Sequence, residues 1–374
     1  MIYLDNAATT KVCPEAAEAA LRCMTQDFGN PSSTHGPGRT ARTALRQARE
    51  SVAAALGASP EEIFFTAGGT EGDNWALRSG TFQARRTGRH IISSAAEHDA
   101  ILKTLEDLER QGWEVTRLRP RSDGAVHPED VAAALREDTA LVSLMLVNNE
   151  TGAVTDIPGV ARILKDAGSR ALLHTDGVQG FMKVPFSAKT LGADMITLSG
   201  HKIHGPKGIG ALYVRSGLKL PPLLTGGGQE SGRRSGTENM PGILAFAAAV
   251  QAAKADRDAH VRMAALRAAA AEHIQARLPE AVVIGGGAPH ILCLSLPGYR
   301  SEVLLNLLDA RGICVSKGSA CKKGARSHVL SSMGLSSRII DGAIRVSLSR
   351  FTTEEDMDGF CSALIDAAGS LAHR

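Results

Sequence analysis

Short apolar runs alternate with amphipathic stretches between residues 63 and 214 of the chain. A short apolar run bounded by glycine or polar residues is typical of a buried strand, and amphipathic stretches are typical of covering helices. The alternation therefore predicts βαβ units and a largely parallel sheet between helices. The predicted strands are Ile63–Thr66, His90–Ser94, Leu141–Val147, Ala171–Thr175, Met195–Leu198 and Gly210–Val214.

Glycine-rich or polar loops follow most of these strands. Ligands of an open α/β sheet bind outside the carboxyl ends of its strands, so the loops are expected to converge on one site. The loop sequences are AGGTEG, AAEHD, NNETG, DGVQG and SGHKIHGPKG.

The pattern changes after residue 240. An alanine-rich stretch over Pro241–Leu278 predicts one or two helices that bridge two domains rigidly. A length of 374 residues also favours two domains over a single core. A smaller α+β domain is predicted beyond the bridge, with elements at 291–296, 302–311, 314–315, 343–348 and 353–368.

Charge and cysteine content narrow the function classes. Lysine and arginine number 42 against 39 aspartates and glutamates, a net charge of +3 without a basic block, which disfavours nucleic-acid and anionic-membrane partners. The six cysteines are scattered, which predicts neither a disulfide framework nor a metal site. No apolar run approaches the ~18 residues of a membrane helix, and no secretory signal is evident. We expect a cytoplasmic protein with a small-molecule partner.

Two loops suggest covalent chemistry with a cofactor. Lys202 follows a buried-looking strand, and a lysine held in a semi-apolar site can form a Schiff base. Asp176 ends another predicted strand, with Gln179 three residues further on, and its carboxylate can pair with a protonated ring nitrogen. For a lone lysine, an exposed surface position would be the ordinary interpretation.

The loop AGGTEG predicts a phosphate cradle. Its glycines let backbone N–H groups approach an anion, the following helix N-terminus favours negative charge, and Thr70 adds a hydroxyl. An ordinary helix cap by Thr70 is the alternative. Neither a Walker motif nor a dinucleotide-binding GxGxxG occurs in the required context, which disfavours nucleotides.

A lysine, a ring-nitrogen carboxylate and a phosphate cradle on one sheet edge together describe a site for pyridoxal 5′-phosphate (PLP). The chain resembles the cysteine desulfurases of the NifS/IscS type, within the class-V aminotransferases, nearly from end to end. The segment RSGTEN favours the first of the two desulfurase groups. The motifs that carry the resemblance are YLDNAATT, GNPSSTHGPG, FFTAGGTE, AEHDAIL, VNNETGAV, HTDGVQ, SGHKIHGPKGIGALYV, GGGQESGRRSGTEN, GSAC and IRVSLSRFTTEED.

The resemblance implies an α/β fold, that of the PLP-dependent transferases of fold type I. A large domain at 13–255 would hold a mostly parallel seven-stranded sheet between helices. Residues 1–12 and 256–374 would form the smaller α+β domain, which carries the catalytic cysteine and the substrate-binding arginine.

It also implies roles for individual residues. Lys202 would bind the cofactor covalently and move protons at the substrate Cα, Asp176 would keep the ring nitrogen protonated, and Gln179 would hydrogen-bond the phenolic oxygen. His98 would stack on the ring and act as an acid or base, although a histidine after a strand is more often structural. Phosphate contacts would come from Gly69, Thr70, Ser199 and His201, and from Thr237 of the other subunit in a homodimer.

The substrate would be L-cysteine. Asn149 would lie near cofactor and substrate, and Arg345 would bind the substrate carboxylate, a strand-edge arginine exposed to solvent being the alternative. Cys321, beside Lys322 and Lys323, would be the nucleophile, because nearby positive charge favours the thiolate. The other cysteines are interpreted as packing residues. The products would be L-alanine and a persulfide on Cys321, passed to an acceptor such as an iron–sulfur assembly protein.

Three departures from the family pattern and three alternative functions stay open at this point. The segment KKGARSHVL after Cys321 is shorter and more basic than is usual in the first group, so the acceptor is not specified, and AEHD and TEGDNW differ slightly from the family pattern. A selenocysteine lyase or another class-V aminotransferase would share most of the motifs. A non-catalytic scaffold would be expected to have lost Lys202 or Asp176, and both are present.

Overall fold

A seven-stranded sheet forms the centre of the computed structural model, which describes residues 1–317 and 326–371. The strand order is β2-β8-β7-β6-β5-β3-β4, and β8 alone runs antiparallel to its neighbours. The strands are β2 (Ile63–Thr66), β3 (His90–Ser94), β4 (Glu114–Leu118), β5 (Thr139–Ser143), β6 (Leu172–Asp176), β7 (Met195–Ser199) and β8 (Gly210–Val214).

Thirteen α-helices lie in the described part of the chain. They are α1 (Pro14–Thr25), α2 (Gly36–Leu56), α3 (Gly69–Ala84), α4 (Asp99–Arg110), α5 (Pro128–Ala134), α6 (Ile157–Asp166), α7 (Ala188–Leu191), α8 (Met240–Ala255), α9 (Ala259–Arg277), α10 (Ser301–Asp309), α11 (His328–Ser332), α12 (Ser337–Asp341) and α13 (Glu354–Ser370). The alanine-rich stretch is therefore two helices, α8 and α9.

Helices cover both faces of the large sheet because its strands are apolar on both faces. In β7, Met195 packs into a cluster with α3 and α4, whereas Ile196 and Leu198 pack into a cluster with α2, α6 and α8. Helix α3 lies very close to the sheet. A Cβ at Gly69 would be 2.9 Å from Val178 Cγ2, and one at Gly72 would be 2.8 Å from Thr197 Cγ2, so these positions need glycine.

A second core lies around two smaller sheets. Strands β9 (Val282–Ile284), β10 (Ile291–Ser295) and β12 (Ala343–Ser347) form an antiparallel sheet of order β12-β10-β9. Strand β1 (Ile2–Tyr3) pairs in parallel with β11 (Ile313–Cys314). Their apolar side chains pack against α9, α10 and α13. The two cores agree with an α/β part and an α+β part, while the boundaries at 12/13 and 255/256 stay a prediction.

The predicted strands are found with small shifts, while β4 of the large sheet and β9 of the smaller antiparallel sheet were missed. The strand predicted over 141–147 extends past the end of β5. Strand pairing ends at Ser143, although the next four residues are buried. Strand β4 escaped notice because Glu114–Leu118 is an edge strand whose residues are half-buried or exposed. It lacks the continuous apolar run by which the central strands were found.

Candidate active site

Lys202 lies directly after β7, in a short 3₁₀ turn over Gly200–Lys202. Its Nζ donates hydrogen bonds to the carbonyl oxygens of Ala7, at 2.7 Å, and Ala8, at 2.8 Å. Burial, and then the positive charge of Arg345, lower the pKa of Lys202 to about 8. About a tenth of this amine is therefore neutral at pH 7 and can attack a carbonyl carbon.

Asp176 ends the neighbouring strand β6 and is 6 % exposed. Its Oδ1 accepts a hydrogen bond from the Val178 backbone N–H at 2.9 Å. Burial raises the pKa of the Asp176 carboxyl, while the charges of His98 and Lys202 act in the opposite direction. A carboxylate buried in this way is stabilised by a cationic partner in the cavity that it borders.

A cavity of about 350 Å³ lies at the carboxyl ends of the parallel strands. This is the size of an ordinary small-molecule site. All but two of the predicted site residues line it, namely Gly69, Thr70, His98, Asn149, Asp176, Gln179, Ser199, His201, Lys202 and Arg345. Thr237 is exposed and lies outside this lining, and Cys321 lies outside the described residues.

The N-terminus of α3 forms one end of the cavity. Its N-cap is Gly68, with φ 153°, and Thr70 is the second helical residue, so the interpretation of Thr70 as an ordinary cap is wrong. A glycine cap leaves the first backbone N–H groups of the helix available to an anion. Ser199, His201 and Lys207 border the same opening. Burial and nearby lysines lower the pKa of His201 to about 4, so it is a neutral hydrogen-bonding group.

His98 has a structural position at a helix end and also a position in the cavity wall. It is the N-cap of α4, where its Nδ1 accepts a hydrogen bond from the Ala100 backbone N–H at 3.1 Å, and it also lines the cavity. The cap fixes the orientation of the imidazole relative to the cavity.

Arg345 lies on β12 and is 3 % exposed, so the alternative of a solvent-exposed arginine is wrong. Its Nη1 donates to the Asn149 carbonyl oxygen at 2.8 Å, and its Nη2 donates to Asp5 Oδ1 at 2.8 Å. Nε is buried and has no partner within the described residues. The guanidinium is therefore held from two sides with donor capacity left for an anion in the cavity.

Among the cavity residues that were not predicted, Asp73, Glu150 and His328 carry titratable side chains. Asp73 is 1 % exposed, and burial together with the charge of Asp176 raises its pKa well above the usual range. Glu150 accepts a 2.5 Å hydrogen bond from Ser327 Oγ, and burial raises its pKa. His328 Nε2 lies 3.0 Å from the Glu97 carbonyl oxygen. Asp73, Glu150 and His328 stand inside the quoted segments TEGDNW, VNNETGAV and KKGARSHVL, which was the available signal.

Metal-ion clusters and membrane-spanning helices are both absent from the described ranges, 1–317 and 326–371. No cluster of three or more histidine, cysteine, aspartate or glutamate side chains there is arranged to hold a metal ion. None of the helices in those ranges is both long and apolar enough to cross a membrane.

Comparisons with known sequences and with solved structures point to the same family. The sequence model of the aminotransferase class-V family matches residues 2–360. A cysteine desulfurase IscS of Methanosarcina thermophila is 43% identical over 96% of this chain and 89% of its own, and a cysteine desulfurase 2 of Trichormus variabilis is 46% identical over 96% and 90%. The solved structure of a NifS-like protein superposes with a TM-score of 0.93 at 39% identity, covering 99% of this chain and 100% of the other.

Proposed function

The chain belongs to the class-V aminotransferase family, among its cysteine desulfurases, and we propose that it converts L-cysteine to L-alanine and leaves the sulfur as a persulfide on Cys321. The observation that carries this proposal is the meeting of Lys202, Asp176 and Arg345 in one buried cavity. An amine, a carboxylate and a guanidinium are the groups needed for covalent attachment, for a ring cation and for an amino-acid carboxylate.

The residues present fit PLP. Lys202 supplies an amine with a lowered pKa, and Asp176 is a buried carboxylate that needs a cationic partner. Gly68 leaves the N-terminus of α3 uncapped beside the hydroxyl-bearing Thr70 and Ser199, a suitable place for a phosphate. When bound, PLP would supply the electron sink that makes bonds at the Cα of an amino acid easier to break.

Each residue has a proposed task in holding the cofactor. Lys202 would bind its aldehyde carbon, Asp176 its ring nitrogen and Gln179 its phenolic oxygen, with His98 against the ring. The groups proposed for the phosphate are those around the N-terminus of α3, namely Gly69, Thr70, Ser199 and His201.

The remaining steps use groups of the chain itself. Arg345, held by Asn149 and Asp5, would bind the carboxylate of cysteine and orient its Cα. Lys202, after releasing its covalent bond, would take the Cα proton on Nζ and return it during alanine formation. The lowered pKa of Lys202 suits this exchange, because an ordinary lysine stays protonated at neutral pH.

Sulfur transfer is assigned to Cys321 on the strength of the GSAC motif, since this residue lies outside the described structure. Its thiolate would attack the sulfur of bound cysteine, forming an S–S bond as the Cβ–S bond breaks. The electron pair of the broken bond stays with the substrate carbon, which takes up a proton to become alanine. Cysteine and one thiol thus become alanine and one persulfide, without an external oxidant or reductant.

Three finer proposals accompany this one. A homodimer would place Thr237, which is exposed in this chain, at the partner's phosphate site. The persulfide would be delivered to a sulfur-acceptor protein, as in iron–sulfur cluster assembly. The reaction would take place in the cytoplasm, whose reducing conditions keep Cys321 a thiol.

The test is alanine formation from L-cysteine by purified, PLP-loaded protein. Cys321→Ser should abolish persulfide on the protein, detected by mass spectrometry, and alanine formation should fall at least a hundredfold. Cys293→Ser is the matched control, because Cys293 is buried and its pKa is raised to about 12, so it should behave as wild type. Undiminished alanine formation by Cys321→Ser would refute the assignment of the nucleophile.

The same assay separates the two rival activities. Selenium can leave without a protein thiol, so a selenocysteine lyase would keep its activity on selenocysteine in Cys321→Ser and prefer that substrate in wild type. A transaminase would convert a 2-oxo acid to an amino acid and would not form persulfide. Either result would replace desulfuration as the proposed activity.

A further inference from the structure

The side-chain amide of Gln179 has a defined orientation in the cavity wall. Gln179 is 4 % exposed, and its Nε2 donates to the Ala7 carbonyl oxygen at 2.8 Å. The same oxygen accepts the 2.7 Å hydrogen bond from Lys202 Nζ. The NH₂ end of the amide therefore lies on the side of Lys202.

The other end of the amide contacts a second lysine. Gln179 Oε1 accepts a hydrogen bond from Lys183 Nζ at 3.1 Å and lies 3.4 Å from His290 Nε2. In the structure Nζ donates to the amide oxygen, and in its protonated form it could not accept from the NH₂ of a flipped amide. His290 cannot fix the orientation alone, because an imidazole nitrogen donates or accepts according to its tautomer.

Local backbone geometry brings Lys183 inward. The preceding residue, Met182, has φ 59°, a left-handed conformation that is costly for a side chain of this kind. The turn is closed by the Lys183 backbone N–H, which donates to the Gly180 carbonyl oxygen at 3.0 Å. Lys183 then borders a small cavity of about 30 Å³ together with Lys202.

The surroundings of Lys183 do not explain its burial as an ion pair. Its described hydrogen-bond acceptor is the neutral amide of Gln179. Burial and the charges of Lys202 and Arg345 lower its pKa well below the usual range. The other titratable groups that interact with it are the imidazoles of His201, His204 and His290, whose pKa values are also lowered. A lysine placed among cations and neutral imidazoles costs stability, so a task in the site accounts for it better than packing does.

We propose that Lys183 is a positioning residue, which holds the Gln179 amide with its NH₂ toward the phenolic oxygen of the bound cofactor. This inference rests on the proposed function, in which that cofactor is PLP. A donor at this place stabilises the ionised oxygen and so makes the bound Lys202 nitrogen easier to deprotonate. Without Lys183 the amide can turn its oxygen toward the cofactor, and the bound nitrogen then holds its proton more tightly.

The test is a pH titration of the visible absorbance of PLP-loaded protein without substrate. Lys183→Met should raise the midpoint by about one to two units, since hydrogen bonds to charged groups are worth about that much. Gln179→Leu should shift it in the same direction, and the double variant should shift it no further than the larger single change. Lys183→Arg keeps a cation that only donates and should titrate close to wild type.

Lys189 provides the matched control. It is an exposed lysine on α7, six residues further on, and Lys189→Met should titrate as wild type. A wild-type midpoint in Lys183→Met, with a shifted midpoint in Gln179→Leu, would overturn the proposal. An unshifted midpoint in Gln179→Leu would overturn it as well, because the amide would then not be the donor.

A stability measurement separates positioning from a structural role. Removing an enclosed amine whose protonated form has no counter-charge should leave the urea midpoint of the apoprotein at pH 7 unchanged or higher in Lys183→Met, whereas a structural lysine would lower it. Lys183→Gln, which keeps a donor, serves if the Met variant does not fold. Absence of alanine formation by wild type would refute the proposed function. The titration would still test the role of Lys183 in that case, provided that PLP binds.

Discussion

The pKa of Lys202 makes the sharpest quantitative prediction. A folded-state pKa of about 8, against an ordinary 10.5, means that about 9 % of the amine is neutral at pH 7. An ordinary lysine has roughly 0.03 % neutral amine at the same pH, so the gain in reactive form is about 300-fold. The test varies the pH and compares the free energy of unfolding of the wild-type and Lys202→Met apoproteins.

The sign of the effect on stability follows from proton binding. The folded protein holds the Lys202 proton less tightly than the unfolded chain, so the unfolded chain binds more protons and stability rises with pH. The penalty is complete below a pH of about 8 and disappears above 10.5. Between pH 7 and pH 9, Lys202 should therefore add about 1.3 kcal/mol to the free energy of unfolding of wild type.

Two measurements check this value. Urea unfolding of both apoproteins at pH 7 and pH 9 should show that Lys202→Met lacks this rise. Acylation of Lys202, followed by peptide mass spectrometry with exposed Lys189 as reference, should have a midpoint near 8. Equal pH slopes and an acylation midpoint like that of Lys189 would refute the argument that burial and Arg345 activate this amine.

Three other predictions concern the surroundings of the site. Arg345→Lys should raise the KM for L-cysteine at least tenfold without changing the absorbance of bound PLP, because a lysine cannot reproduce the bidentate contact; an unchanged KM would contradict carboxylate binding. Glu230→Gln should lower the free energy of unfolding by about 3 kcal/mol in urea titrations, because it breaks a buried pair with Arg49 in which Glu230 is 3% exposed; a loss below about 1 kcal/mol would contradict the importance of that pair. In wild type, the raised pKa of Asp73 means that the folded protein binds more protons than the unfolded chain above pH 3.8, so its stability falls as pH rises from that value. Asp73→Asn should remove this fall, and identical pH profiles of wild type and variant would contradict the raised pKa.

The central sheet and the residues at its carboxyl edge could be predicted because their signal is local. A buried strand such as His90–Ser94 has an apolar centre in Ile91 and Ile92, and the loop after it carries its polar groups in a few consecutive residues. Five neighbouring strands are parallel, so loops far apart in sequence end at the same edge. Placing Lys202 beside Asp176 therefore required only the strand pattern and the family motifs.

Contacts across long sequence separations could not be predicted in this way. Asp5 binds Arg345 over 340 positions, and Ser327 binds Glu150 over 177. Such pairs depend on how the N-terminal segment and the smaller sheets meet the large sheet, and neither periodicity nor spacing records that. Lys183 was missed for a related reason, since a lysine after a turn ordinarily lies in solvent and only the left-handed Met182 brings it inward.

The pKa shifts around the cavity share burial as their first cause, and burial disfavours the charged form of carboxyls and imidazoles alike. Burial raises the pKa of the carboxyls of Asp73, Glu97 and Glu150, which reduces their negative charge, and it lowers the pKa of His201 and His174 to about 4 and about 3. Arg345 and Lys202, which at a pKa of about 8 is largely protonated at pH 7, place two cationic groups in the lining of the cavity. A phosphate-bearing cofactor and an amino-acid carboxylate both supply the negative charge that this arrangement lacks. The cationic groups of the lining thus suit the two anionic ligands that the proposed reaction needs, and this argument does not use the sequence motifs.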